Sequence, residues 1–317
     1  MIDGLLLIVG LVLLTAAADF LVKGASLVAS RFGVAPLIIG LTVVSFGTSM
    51  PELLVTLTAG LQHNSDLAIA NIVGSNIANV LLILGVAAII RPLPVRNSTI
   101  VSEIPFSLIA ALLVGFLANA ALFSSIQTLS ISQLDGGILL FFFFLFMLYI
   151  FKTSREGVSS TPEVDTTGKI KLAAFQIAIG VVGLYFGGQW VTAGAVGLAQ
   201  AWAIDDALIG LTVVAVGTSA PELAASAVAA YRNQTDIAVG NVVGSNIFNL
   251  LWVLGFTSSI VELPFEVITN IDLLMVIISS TLIIVAMVSS RRYAVLRSHG
   301  ILFICLYAFY LYYIVQR

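Results

Sequence analysis

The chain has 317 residues, of which 60% are hydrophobic and 9% charged, with a formal net charge of −3. A soluble globular chain carries about 25% charged residues because its surface must be solvated, so this composition, with a mean hydropathy of +1.12, excludes a water-soluble fold. The apolar runs are long and show no alternation of period two, which argues against a β-barrel and for an all-α membrane protein.

Ten apolar segments, centred near Leu11, Val44, Leu82, Ala111, Phe144, Val182, Val214, Leu251, Ile278 and Leu306, predict ten transmembrane helices. The first follows Met1-Ile2-Asp3, which lacks the positive region of a cleaved signal peptide, and is expected to stay as a span. On it Asp19 and Lys23, four residues apart, are read as neutralising each other. Gly47 and Pro51 interrupt the second segment, as Gly217 and Pro221 interrupt the seventh. The phenylalanine run 141–144 reads as lipid-facing or packing surface. The hydrophilic stretch 152–171 reads as a flexible cytoplasmic linker, too short to fold by itself. Cys305, the single cysteine, lies in the tenth segment and reads as a small buried hydrophobe that allows no internal disulfide. His63 and His299, in or beside loops, are not read as a metal site.

Charge in the breaks gives direction. With the N-terminus outside, the inner loops collect Arg31, Arg91, Arg96, Lys152, Arg155, Lys169, Lys171, Arg232, Arg291, Arg292 and Arg297. The outer loops hold Asp66, Asp135, Asp205, Asp206, Glu262 and Glu266 instead. Lys/Arg bias in short loops sets orientation, and it places both termini outside.

The chain repeats itself at an offset of 170 residues, the separation of Gly47 and Gly217. Gly40-Leu-Thr-Val-Val falls on Gly210-Leu-Thr-Val-Val, and Gly47-Thr-Ser-Met-Pro-Glu-Leu53 on Gly217-Thr-Ser-Ala-Pro-Glu-Leu223. Without a gap, Asn71-Ile-Val-Gly-Ser-Asn-Ile-Ala-Asn79 then falls on Asn241-Val-Val-Gly-Ser-Asn-Ile-Phe-Asn249. About half of the forty positions from Gly40 are identical, which marks a duplication. Residues 1–151 form a first five-helix repeat, 152–169 the linker and 170–317 a second. Five is odd, so the second repeat enters the membrane from the opposite side. Inverted repeats of this kind place substrate at their interface near the midplane, where helices are broken.

Glu52 and Glu222 directly follow the two prolines in otherwise apolar spans. An ionisable residue at the bilayer centre costs about 2.5–3.5 kcal/mol on insertion scales, so such a residue is a functional candidate. Neither motif segment holds a cation in its core, which points to mobile cations as the counter-charge. Hard oxygen donors surround each glutamate: Thr48, Ser49, Ser75, Asn76 and Asn79 in one half, and Thr218, Ser219, Ser245, Asn246 and Asn249 in the other. Ca²⁺ takes such oxygens, and Na⁺ suits the same types; soft-metal ligands are missing. Singly, Ser75 or Asn76 reads as helix-packing glue. Asn71 and Asn241 read as caps of the broken helices rather than as ligands.

These paired segments resemble the two α-repeats of sodium/calcium exchangers, members of the calcium/cation antiporter superfamily, and above all its short prokaryotic members. The resemblance implies ten helices, with spans one and six as long tilted helices sliding past an eight-helix core. It implies a Ca²⁺ site at Glu52 and Glu222 with carbonyls of Thr48 and Thr218. It implies flanking Na⁺ sites at Ser45, Ser49, Ser75 and Asn79, and at Ala215, Ser219, Ser245 and Asn249. Some members, including potassium-dependent exchangers, carry an aspartate where Asn249 stands, so potassium dependence is disfavoured. Proton/calcium exchangers place a glutamate where Gly74 and Gly244 stand, so proton coupling is the weaker alternative.

The function expected is therefore Na⁺/Ca²⁺ antiport by alternating access in a prokaryotic inner membrane. A proton-coupled antiporter and a glutamate-lined cation channel are the alternatives. An intramembrane enzyme ranks last, since no Asp pair, His-Glu zinc motif or Ser nucleophile with an adjacent base is present. The expected partners are the lipid bilayer and the transported ions, with no cofactor, no nucleic acid and a monomeric carrier.

Overall fold

The computed structural model describes residues 2–94, 100–119, 129–156, 167–201, 215–290 and 293–316. The first helix, α1 (Ile2–Phe32), has 31 residues, and at 1.5 Å per residue it is about 46 Å long, more than an untilted span needs. The second segment starts as α2 (Pro36–Ile39), passes through a π-helical turn (Gly40–Val44) into α3 (Ser45–Thr48) and resumes as α4 (Met50–Leu61) after a 47° bend. Next come α5 (Ser65–Ala78), a π turn (Asn79–Leu84) and α6 (Gly85–Ile90), which together run from 65 to 90. Helices α7 (Ile100–Ala118), α8 (Gln133–Glu156) and α9 (Thr167–Ala201) follow.

The later part repeats the pattern with α10 (Ala215–Thr218), α11 (Ala220–Tyr231) and α12 (Thr235–Ile247). A π turn (Phe248–Val253) then leads to α13 (Leu254–Ile260), α14 (Asn270–Ser289) and α15 (Arg297–Gln316). Among the described residues, seven helices are long and apolar enough to cross a membrane, and the bent pair makes an eighth; Glu103–Ala118 is a shorter apolar helix. The expected centre of the seventh span, Val214, lies outside the described residues, as do Arg96, Asp205 and Asp206.

Two spans form the core. In the 18-residue apolar windows of spans 65–90 and 235–260, 78% and 94% of the residues are buried, against 22–44% in the other long spans. Their burial explains why these segments combine apolar side chains with small and amide residues, since every polar group there must find a partner inside the protein. At the periphery α1 and α9 lie against each other along the most extensive helix–helix interface among the described residues. Glycine permits the approach: a Cβ at Gly10 would sit 2.8 Å from Val191 N, and one at Gly180 2.8 Å from Leu21 N.

Short antiparallel strands lace the two parts together. Strand β1 (Leu93–Pro94) pairs with β4 (Ala294–Val295), and β2 (Leu129–Ile131) pairs with β3 (Leu263–Phe265). Polar contacts do the same at the span ends. Asp66 Oδ1 accepts from Glu266 N and Val267 N at 2.9 and 2.8 Å, and Arg91 Nη1 donates to Asn233 Oδ1 at 2.9 Å. Asp66 and Arg91 stand at opposite ends of one span. The loop after α4 therefore lies at one end of this span and the loop after α11 at the other.

Three expectations are corrected. Cys305 is exposed on α15, because Phe303, Tyr307 and Tyr310 form the buried stripe and Cys305 falls on the opposite face. The stretch 152–171 is helical at both ends, where α8 runs to Glu156 and α9 starts at Thr167; residues 157–166 lie outside the described residues. Asn71 and Asn241 are not helix caps. Each lies inside its helix, and the cap of α5 is Asn64, whose side chain accepts from Leu67 N at 3.2 Å. Of the phenylalanine run, Phe141 and Phe144 are exposed and Phe143 is buried.

Candidate functional site

Both interrupted segments break at a serine. Ser49 has φ −84° and ψ 7°, Ser219 φ −84° and ψ 5°, and each precedes a helix with proline in its first turn. Proline donates no N–H, so Gly47 and Gly217, four residues earlier, keep carbonyls without the usual helical partner. A Cβ at Gly47 would meet Val181 Cγ2 at 2.6 Å and one at Gly217 would overlap Thr192 Oγ1, so a side chain at either position forces its α9 neighbour to shift. The breaks bring Glu52 and Glu222 into the first turns of α4 and α11, both fully buried.

Each carboxylate is held by one oxygen only, and by serines of both halves. Ser75 Oγ lies 3.5 Å and Ser219 Oγ 3.4 Å from Glu52 Oε1. Ser245 Oγ lies 3.5 Å and Ser49 Oγ 3.0 Å from Glu222 Oε1. Ser219 Oγ also lies 3.1 Å from Ser75 Oγ. The second oxygens, Glu52 Oε2 and Glu222 Oε2, are buried without a hydrogen-bond partner. No cation contacts either carboxylate among the described residues. Two buried carboxylates without counter-charge are costly to an otherwise apolar core, so the pair is neutralised either by bound cations or by protons.

A second layer crosses between the halves. Asn71 Nδ2 donates to Glu52 O at 3.3 Å and to Thr56 Oγ1 at 3.0 Å, while its Oδ1 accepts from Thr218 Oγ1 at 3.3 Å. Asn241 Nδ2 donates to Glu222 O at 3.4 Å and to Ser226 Oγ at 2.9 Å, and its Oδ1 accepts from Thr48 Oγ1 at 3.1 Å. Thr56 and Ser226 escape a reading aimed at identical residues, although both keep a hydroxyl at the 170-residue offset. Asn79 Nδ2 donates to Asn246 Oδ1 at 3.0 Å, and Asn246 Nδ2 to Asn76 O at 3.4 Å. Asn79 Oδ1 and both side-chain polar atoms of Asn249 are buried without partners.

The remaining expected residues divide. Thr48 and Thr218 end α3 and α10 directly before the breaks. Ser45 is buried, but its hydroxyl turns back to Leu41 O at 2.7 Å and does not bond a carboxylate. Ala215 opens α10, and its backbone alone is described. Asn79 opens the π turn Asn79–Leu84 and Asn249 lies in the π turn Phe248–Val253, local unwinding that recurs at functional positions. Glu103 is a third buried glutamate, with both carboxylate oxygens unpartnered, on a helix that packs chiefly on α14.

A cavity of about 350 Å³ lies beside the two breaks, and neither glutamate lines it. It lies between α4, α9 and the α10–α11 break, and Pro51, Val55, Gln189, Thr192, Thr218 and Pro221 are among its lining residues. Thr218 and the two prolines belong to the breaks, so the cavity ends one residue short of each buried glutamate along the chain, at Pro51 and Pro221.

Comparison with known proteins extends this picture over the whole chain. The sequence model of the family described as sodium/calcium exchanger protein matches residues 3–152 and 172–316. The inner membrane protein YrbG of Escherichia coli is 40% identical over 264 residues, covering 80% of this chain and 79% of that protein. The sodium/calcium exchanger MaX1 of Methanosarcina acetivorans is 29% identical over 98% of this chain and 97% of its own length. Among solved structures, the sodium-calcium exchanger NCX_Mj soaked with 10 mM Na⁺ and no Ca²⁺ matches with a TM-score of 0.83 at 31% identity, over 97% of both chains.

Proposed function

This chain belongs to the sodium/calcium exchanger protein family, and from that premise we propose that it is a secondary active antiporter moving Na⁺ against Ca²⁺ by alternating access. The observation that carries the reading is the crossed clasp, in which each buried glutamate is held through one oxygen by serines of both halves while its other oxygen is unbonded. Those free oxygens, and the free Asn79 Oδ1 and Asn249 side chain, are hard donors of the kind Ca²⁺ and Na⁺ take.

In this reading Ca²⁺ binds between Glu52 and Glu222 with the carbonyls of Thr48 and Thr218. Na⁺ uses Ser45, Ser49, Ser75 and Asn79 on one side and Ala215, Ser219, Ser245 and Asn249 on the other. Ser45 and Ala215 serve through backbone oxygens, since the Ser45 hydroxyl is committed to its own helix. Two carboxylates balance one Ca²⁺ or two Na⁺. A third Na⁺, as the family resemblance implies, makes the sodium-loaded carrier net positive and the cycle electrogenic.

The fold proposed is ten helices in two inverted repeats, residues 1–151 and 170–317, joined by the linker 152–169. Support comes from bonds that recur at the 170-residue offset and from the loops after α4 and α11, which lie at opposite ends of one span. Arg91, Arg232 and Arg297 gather at the face of the α11 loop, where Arg297 Nη2 also meets Ile90 O at 3.4 Å. The positive-inside bias makes that face cytoplasmic and puts both termini outside a prokaryotic inner membrane. The carrier works as a monomer without a cofactor and is not an enzyme.

Gly244 speaks against proton coupling through a glutamate at its position. A Cβ there would lie 2.6 Å from both Leu41 O and Ser45 Oγ, leaving no room for a carboxylate arm. The deciding test is reconstitution into vesicles: an imposed Na⁺ gradient drives uphill movement of radioactive Ca²⁺. Uptake that follows a pH gradient without Na⁺, or passes without any counter-ion, would overturn the assignment.

A further inference from the structure

The two long peripheral helices hold equivalent places at the 170-residue offset, yet their surroundings differ. Beside α9 the cavity separates Gln189, Thr192 and Val196 from Pro51, Leu54 and Val55 of α4. Beside α1 the equivalent seam is packed. Here α1 lies along α11, and Ala18, Val22 and Ala225 are buried, with exposures of 0%, 2% and 1%. Val22 corresponds to Thr192 and Ala225 to Val55, both lining the cavity on the other side.

Among the described residues, an ion network lies on the packed seam only. Asp19 Oδ2 accepts from Lys23 Nζ at 2.7 Å, and Asp19 Oδ1 meets Arg232 Nη2 at 2.5 Å. Lys23 belongs to the same helix, but Arg232 caps α11, so the second contact is an ion pair across the seam. At the same offset Asp19 becomes Gln189, Lys23 becomes Ala193 and Arg232 becomes Gln62. The duplicated half thus offers no charge at any of the three positions, and Gln189 donates instead to Tyr185 OH at 2.6 Å on its own helix.

We propose that Asp19 and Arg232, with Lys23 beside them, form a one-sided ionic latch that holds the α1–α11 seam shut and biases the carrier toward the state in which the glutamate pair communicates with the face of the α4 loop. The proposal rests on the alternating-access reading, because a latch needs a second state to oppose. A pair that must break whenever the seam opens lowers the population of the open-seam state by its own worth. The side chains are part-exposed, 25% for Asp19 and 48% for Arg232, which limits an ion pair to a modest strength. The expected bias is therefore about fivefold, equivalent to about 1 kcal/mol, enough to skew two nearly balanced states.

The test reads seam accessibility without requiring transport. In a Cys305→Ser background, Ala225→Cys is labelled in vesicles by an impermeant maleimide applied from the face of Arg232. Asp19→Asn and Arg232→Gln should each speed that labelling about fivefold. The double variant should match either single one, because both remove the same bond. Unchanged labelling in the singles overturns the latch, and so does a double effect equal to the product of the two, which marks independent loosening. If Na⁺-driven Ca²⁺ flux is absent while labelling behaves as expected, the transport assignment falls and the seam-closing role stands; flux with unchanged labelling removes the latch alone.

Discussion

Replacing Asn71 tests whether the crossing layer beneath the carboxylates holds the site together. Asn71→Ala removes two donated bonds and one accepted bond that tie α4 to Thr218 of the other half. Counting the 3.0 Å bond to Thr56 as about 1 kcal/mol and each 3.3 Å bond as about 0.5 gives about 2 kcal/mol in all. Converted wholly into lost ion binding, that is about thirtyfold in affinity, a ceiling because members of one network do not add. The expected loss of apparent Ca²⁺ affinity is about five- to thirtyfold, with a smaller effect, up to about fivefold, for Thr56→Ala. Asn241→Ala should behave alike, since its bonds at 3.4, 2.9 and 3.1 Å match those of Asn71. The assay is the Ca²⁺ concentration for half-maximal Na⁺-driven uptake, with thermal unfolding measured alongside. An Asn71→Ala protein that melts like the parent and keeps its half-maximal concentration within about twofold refutes the reasoning.

Three further outcomes are expected. Glu52→Gln and Glu222→Gln each abolish Na⁺-driven Ca²⁺ flux while the protein still elutes as a folded species, because each removes a charge the divalent ion needs; near-parental flux in either variant removes the paired-glutamate site. In a Cys305→Ser background, Asp135→Cys reacts with an impermeant reagent from outside the cell and Arg155→Cys does not, and the reverse pattern inverts the orientation. With three Na⁺ per Ca²⁺, one charge crosses per cycle with the sodium, worth about 2.3 kcal/mol per 100 mV. An inside-negative potassium potential set by valinomycin should then favour Na⁺ entry and Ca²⁺ extrusion, by about fiftyfold in the equilibrium Ca²⁺ ratio at that voltage. Flux indifferent to potential means electroneutral exchange.

The sequence makes equivalence legible but not contact. The offset of 170 residues identifies Glu52 with Glu222 and Ser49 with Ser219, since duplicated segments keep their residues in register. It does not reveal that Ser49 serves Glu222 and Ser219 serves Glu52, because bonds between residues 173 and 167 apart leave no local periodicity to read. Asn71 is misread for the same reason: as a lone polar residue it suits a cap, and only the neighbouring broken helix shows what it holds. Cys305 shows the limit of apolarity in lipid, where an apolar run carries no inside and outside as it does in water, so burial follows from helix partners rather than from composition. Arg232 has no motif to mark it, and its partner Asp19 lies more than two hundred positions away.

The two small sheets bear on how the chain is assembled during synthesis. Strand β1 is made early, yet its partner β4 emerges only with the last helix, and β2 must likewise wait for β3. A nascent chain that ends before Leu263 can close neither sheet, so the first half is inserted with Leu93–Pro94 and Leu129–Ile131 unmatched. The β2–β3 lace can close once Leu263–Phe265 is made, ahead of α14 and α15, whereas the β1–β4 lace waits for Ala294–Val295. A chain truncated before Ala294–Val295 would hold its spans in lipid but leave the β1 side untied.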